Sequence, residues 1–393
     1  MCDLYRLLMG FKWSVQAIRL SLACVIAITC IWFIRVEWIN FSTFSGSHSA
    51  VVENHDSQTA ESHIENVILT KDPVKSTEQL QPTQPKQVIT SVKNISFVRP
   101  TIISEPTCPE SPPKLVGELA VDFASPPYEK IEEDNPLLKQ GWVTPPDCKP
   151  VNGPTAIIIP YRLRDVQLRA FLNHMHPILQ RQQLEYVIIV VDQSGESRFN
   201  RAMLMNIGYA ESLKLIGNGT PIQCYIFHDV DLLPEDDRGL YTCQDKSIHL
   251  SAYIDKFNYK IPYAAIFGGA SAIPRTHFEL INGFSNVYFG WGGEDDDVHD
   301  RLLHLKLPIK RYDKEVLRYK MIKHEHEKTN KANDNRVKLL RKAVQRMHVD
   351  GINSLRYKVV ETKYLPTHVH VVVDIDESEV YQAVFGQPSV KVK

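Results

Sequence analysis

Three apolar runs between residues 156 and 227, separated by stretches of helical spacing, limit what this chain can build. Ala156, Ile157, Ile158 and Ile159 follow one another without a polar interruption. That is the pattern of a strand covered on both faces, because a strand with one wet face alternates. Leu168, Phe171, Leu172 and Met175 then recur at helical intervals, and His176-Pro177 predicts the end of that helix. A second covered strand is expected at residues 186–191, a helix at 198–213 and a third strand at Tyr225, Ile226 and Phe227. Strand, helix, strand, helix, strand is the order of an α/β sheet, whose ligands gather beyond the carboxyl ends of the strands.

Each expected strand ends in polar chemistry. The first runs into Pro160, Tyr161, Arg162, Leu163 and Arg164, where two guanidinium groups can face a diphosphate or its nucleoside. Phe199, Asn200 and Arg201 follow the second strand and offer an aromatic wall and another cation. The third gives Asp229, Val230 and Asp231. Most Asp-x-Asp tripeptides are turns, but two carboxylates directly after a strand of an α/β unit place oxygen ligands where a divalent ion could bridge to phosphates. His324, behind Met321, could add an imidazole; one carboxylate and one imidazole suit Mn²⁺ better than Ca²⁺.

Downstream, Gly290, Trp291, Gly292 and Gly293 lead into Glu294, Asp295, Asp296 and Asp297. Carboxylates crowded this way ionise reluctantly, so one can accept a proton while others hold a hydroxylated ligand, and the indole face suits a sugar ring. Taken alone, the block reads equally as a solvated acidic turn or a helix start.

The first hundred residues differ in kind. Leu20 to Ile34 is uncharged and apolar, flanked by Arg19 and Arg35, with Trp32 and Trp38 placed as interfacial anchors. No small-residue cleavage site follows, which favours a retained span at 13–34 over a signal peptide. Arg6, Lys12 and Arg19 keep residues 1–12 cytosolic, so the remainder lies in an oxidising lumen. Residues 35–107, rich in Ser, Thr, Glu, Gln and Pro, are expected to form a flexible stem with a glycan acceptor at Asn94; a folded domain is expected over 108–393. Cys108, Cys148, Cys224 and Cys243 are an even lumenal set open to three pairings. A formal net charge of −1 gives no reason to expect a nucleic-acid partner.

Taken together, these motifs, with Phe267-Gly268-Gly269 and the run from Asp350 to Leu355, resemble the β1,4-galactosyltransferase family of Golgi glycosyltransferases, in particular its invertebrate N-acetylgalactosaminyl-transferring members. The resemblance implies a GT-A nucleotide-sugar-binding fold on a single-pass type II anchor in the Golgi membrane. It implies donor UDP contacts at Pro160 to Arg164, Phe199 to Arg201, Val230, Asp231, Trp291, His324, Glu325 and His326, and Mn²⁺ held by Asp231, Met321 and His324. The acidic Glu325 departs from the small or basic residue usual there. Trp291 would cover the donor, Gly293, Glu294, Asp295 and Asp296 would hold the acceptor sugar, and Asp295 would take the acceptor proton. Arg336, Val337 and Leu340 fall where the family receives an N-acetyl group, within a polar run from Lys323 to Leu340 that resembles its mobile loop. The implied disulfides are Cys108–Cys148 and Cys224–Cys243.

Donor choice rests on Ile266. Galactosyl-transferring relatives have a tyrosine there that crowds C2 of the donor sugar; an aliphatic side chain opens space for an acetamido group. The leading expectation is transfer of N-acetylgalactosamine from UDP-GalNAc to the 4-hydroxyl of a terminal β-linked N-acetylglucosamine on a glycolipid or glycoprotein. The alternatives are a galactosyltransferase using UDP-galactose and a membrane-anchored lectin without catalysis. Dimerisation or a partner subunit is left open.

Overall fold

The structure is a computed structural model, and it describes residues 106–215, 220–323 and 330–386. The expected anchor, the stem up to residue 105 and Asn94, and with them His324, Glu325 and His326, lie outside the described residues. Among the described residues no helix is long and apolar enough to cross a membrane.

The strands are β1 (Trp142–Val143), β2 (Thr155–Tyr161), β3 (Tyr186–Gln193), β4 (Cys224–His228), β5 (Leu232–Pro234), β6 (Ser247–His249), β7 (Tyr253–Ile254), β8 (Ala270–Pro274), β9 (Ile309–Lys310), β10 (Arg318–Met321), β11 (Lys358–Tyr364) and β12 (Val369–Asp374). The main sheet runs β11-β12-β3-β2-β4-β8-β6-β9, with β1 beside β3, and a small sheet runs β5-β10-β7. Strands β12, β3, β2 and β4 are mutually parallel, whereas β11 and β8 pair antiparallel at either flank, so the sheet is mixed.

All of β2 is buried. Ile158 belongs to the cluster packed under the helix Arg201–Leu215, and Ile157 and Ile159 to the cluster under the helix Asp165–Arg181. Helices on both faces therefore account for the unbroken apolar run. A Cβ on Gly208 would come within 2.3 Å of Ile158, so the helix Arg201–Leu215 lies close against the sheet.

The helix Asp165–Arg181 does not stop at His176-Pro177, as expected from the sequence, but carries Pro177 inside it. Ile178 and Leu179 beyond the proline are buried. Two such side chains contribute roughly 3–6 kcal/mol, enough to offset a helical proline's cost of about 3 kcal/mol. The cysteines pair as Cys108–Cys148 and Cys224–Cys243. Residues past Val371, silent in the sequence, complete β12 inside the sheet, and the helix Glu377–Phe385 follows.

Candidate active site

The parallel strands β2, β3 and β4 end at one edge of the sheet, and the side chains singled out from the sequence collect there. Pro160 and Tyr161 finish β2 and are buried. Arg162 lies 5.1 Å over the ring of Phe199 and donates to the Ser197 carbonyl at 2.9 Å. Leu163 turns out into solvent, 86% exposed, and Arg164 begins the next helix.

Asn200 is fully buried and its groups are committed to protein partners. Its side-chain oxygen accepts from the Met203 N–H at 2.9 Å, capping the helix Arg201–Leu215, and its amide donates to the Asn286 carbonyl at 2.7 Å. That cap fixes where Arg201 stands. Arg201 donates to Asp229 Oδ1 at 2.6 Å, reaches Glu294 Oε1 at 3.5 Å and the Gly269 carbonyl at 3.4 Å, joining three segments.

The end of β4 is held from beneath. His228 Nδ1–H donates to the Asp229 carbonyl at 2.8 Å, its Nε2 accepts from Tyr241, and Tyr241 meets the Tyr319 hydroxyl at 2.9 Å. Tyr319 lies on β10, which pairs Met321 with Leu232, and the Ile322 N–H donates to the Asp231 carbonyl at 2.7 Å. Two of the three expected metal ligands, Asp231 and Met321, are thus brought alongside, with buried Val230 between the two aspartates. The third, His324, lies just beyond the described residues, among which no group of three or more His, Cys, Asp or Glu side chains is arranged to hold a metal.

Gly293 precedes the helix Glu294–His304 at φ 92°, and a Cβ there would sit 3.0 Å from Tyr288. The four carboxylates that follow do not share one fate. Asp297 turns inward to Arg301, Arg346 and Tyr288, whereas Glu294, Asp295 and Asp296 stay with the site. Burial, then the neighbouring Asp295, pushes Glu294 up to about 7, against the pull of Arg201. The same two causes push Asp296 up to about 6, with a bond to Tyr263 opposing. Burial also raises Asp229 to about 6, aided by Asp231 and opposed by Arg201. Burial is the largest cause of all three shifts, and neighbouring carboxylates add to it.

Asp295 Oδ2 lies 3.5 Å from the Phe267 N–H and would come within 2.8 Å of a Cβ at Gly268, so only glycine there leaves the carboxylate its place. The half-buried Ile266 belongs to the same loop. Trp291 is 64% exposed; its N–H donates to the Lys331 carbonyl and its carbonyl accepts from the Asn333 N–H, each at 3.0 Å. The helix Arg336–Leu340, with Arg336, Val337 and Leu340, follows directly, and Arg336 packs over Gly292 and Gly293. The sequence reading missed Tyr263 as partner of Asp296 and the inward turn of Asp297. Both depend on contacts across elements, for which no local pattern exists.

A family model described as the N-terminal region of glycosyl transferase group 7 matches residues 108–244, and one described as the N-terminal domain of galactosyltransferase matches 248–325. The chain is 45% identical over 278 residues to β1,4-galactosyltransferase 2 of Cricetulus griseus, covering 70% of this chain and 74% of that one. It is 43% identical over 276 residues to β1,4-galactosyltransferase 1 of Mus musculus, covering 70% and 68%. A Drosophila β1,4-galactosyltransferase 7 mutant, solved with manganese, UDP-Gal and xylobiose, superposes with a TM-score of 0.49 at 28% identity, over 57% of this chain and 94% of that one. Identity at this level across most of the described fold leaves one conclusion: the chain is a glycosyltransferase of family 7, the β1,4-galactosyltransferase family.

Proposed function

We propose that the protein is an inverting β1,4-glycosyltransferase that moves a galactose-type sugar from UDP to the 4-hydroxyl of a terminal β-linked N-acetylglucosamine. The observation that carries this reading is Asp295, flanked by carboxylates of raised pKa and placed against the loop that bears Ile266. The acceptor's 4-oxygen bonds to the donor's anomeric carbon from the face opposite the leaving group. Its proton passes to Asp295, and the bond to UDP breaks with the electron pair on the diphosphate. Glu294 and Asp296 hold sugar hydroxyls, and Arg162 and Phe199 face the nucleotide.

Asp231, Met321 and His324 would hold Mn²⁺, a set of one hard and two softer donors. When bound, the ion neutralises charge growing on the departing diphosphate. The apolar run at residues 20–34 supports a type II anchor that leaves this domain in the Golgi lumen.

The names of the relatives support UDP-galactose as donor. A second reading, UDP-N-acetylgalactosamine, is favoured by Ile266, which leaves the space that a tyrosine would fill beside C2. The two are tested by offering both UDP sugars, with Mn²⁺ and an N-acetylglucosaminide, to the lumenal domain and to its Ile266→Tyr variant. If residue 266 reads the donor, the wild type prefers UDP-N-acetylgalactosamine and the variant shifts the kcat/KM ratio toward UDP-galactose about 10–100-fold. Faster wild-type transfer from UDP-galactose rejects the second reading. Binding of both sugars without any disaccharide product rejects catalysis and leaves a lectin.

A further inference from the structure

The loop that carries Ile266 is gripped from behind by two side chains that the transfer chemistry does not itself require. Arg311 follows β9, and the parallel register of β6 with β9, Ile248 opposite Lys310, sets it beside His249. One Arg311 amino group donates to the Ala264 carbonyl at 2.9 Å and to the Ile266 carbonyl at 2.7 Å. Arg311 Nε lies 3.2 Å from His249 Nδ1, and His249 Nε2 lies 2.9 Å from the Gly268 carbonyl.

These contacts admit one proton arrangement. A guanidinium nitrogen only donates, so Nδ1 of His249 accepts, and Nε2 carries the hydrogen that goes to Gly268. The ring must be neutral for this. Burial, and then the adjacent Arg311, push His249 down to about 3, which keeps it neutral at working pH. Ser251 adds a second donor to the Gly268 carbonyl at 3.2 Å.

The carbonyls of residues 264, 266 and 268 are therefore all taken by a rigid fork and the imidazole it orders. The same loop lies against Asp295, since a Cβ on Gly268 would meet its carboxylate. We propose that Arg311 and His249 are positioning residues for donor choice, fixing how far residue 266 stands from the donor sugar and from Asp295. The inference deepens the transferase reading and rests on it. It makes donor selectivity a property of the grip as well as of the side chain at 266.

Arg311→Lys tests it, because one ammonium cannot span two carbonyls and an imidazole as the planar fork does. The measurements are kcat and KM for both UDP sugars with Mn²⁺ and an N-acetylglucosaminide, the Kd of UDP alone by calorimetry, and Tm. Arg311→Lys should cut kcat for the preferred donor and narrow the kcat/KM ratio of the two sugars by about 10-fold, leaving the Kd of UDP within about twofold. An unchanged ratio, or an equal loss for both sugars together with lost UDP binding, overturns it.

His249→Gln guards against misfolding, since it keeps a donor toward Gly268 while releasing Arg311. It should narrow the ratio in the same sense and by less, and an unchanged ratio there also overturns the proposal. A wild type that transfers neither sugar refutes the transferase reading and this inference with it. A wild type that transfers normally, beside variants of unaltered ratio, refutes the grip alone.

Discussion

The helix Glu294–His304 feeds two clusters of charge, one buried and one partly exposed, that are built on opposite terms. On its inner side Asp297 and Asp350 meet Arg301 and Arg346, two acids against two bases, all at most 7% exposed. Arg301 donates to Asp297 at 2.5 Å, Arg346 to Asp297 at 3.0 Å and to Asp350 at 3.1 Å, and the Asn286 N–H to Asp350 at 2.7 Å. On its outer side Arg201 pairs with Asp229 and Glu294, while Asp295 and Asp296 stand beside them with no salt bridge of their own among the described residues, and Glu294 is raised to about 7. Balanced charge, buried and paired acid to base, locks elements together. Unbalanced charge is held at a cost to stability that a structural role would not require, and it marks the place where protons and polar ligands are handled.

The largest separation between the two comes from removing one acid or base on each side. Asp295→Asn should lower turnover by about 10²–10⁴-fold, the span of general base catalysis, with little change in Tm; retained turnover would show that another group takes the proton. Arg301→Ala should do the reverse. It leaves Asp297 and Asp350 short of a partner and should cost about 3–5 kcal/mol in urea unfolding, while kcat per folded molecule changes little. If Arg301→Ala cut kcat in the folded fraction as deeply as Asp295→Asn, the division between the clusters would fail.

A smaller effect sharpens the same contrast. The folded pKa of Glu294 stands above its unfolded value, so ionising it at neutral pH destabilises the native state. In chelator at pH 7.5, Glu294→Gln should therefore gain on the order of 1–3 kcal/mol over wild type. The wild type recovers as pH falls through about 7 and its carboxyl takes up a proton, and the gain vanishes near the unfolded value of about 4.5. Chemical unfolding at several pH values measures it, and a gain independent of pH would mean that the carboxylate is not under strain.

How much of this was legible in the chain differs from residue to residue. The covered strand at Ile157 to Ile159 could be read because unbroken apolarity is local, and so could the glycines around Trp291. The helix past Pro177 could not, because Ile178 and Leu179 offset the proline only once the sheet is beneath them. Nor could the division within four consecutive carboxylates. Asp297 differs from Asp296 only in helical phase, and its partner Arg346 comes from a distant segment.

By itself the sequence determined the alternation of strands and helices, the polar residues at strand ends and the motifs that place the chain in its family, since these follow from periodicity and neighbouring residue types. Tertiary structure decided which charges are balanced, that Asp231 and Met321 lie side by side, and that Arg311 and His249 grip the loop of Ile266. Those outcomes depend on distances between segments far apart in the chain, and it is packing across the sheet that sets such distances.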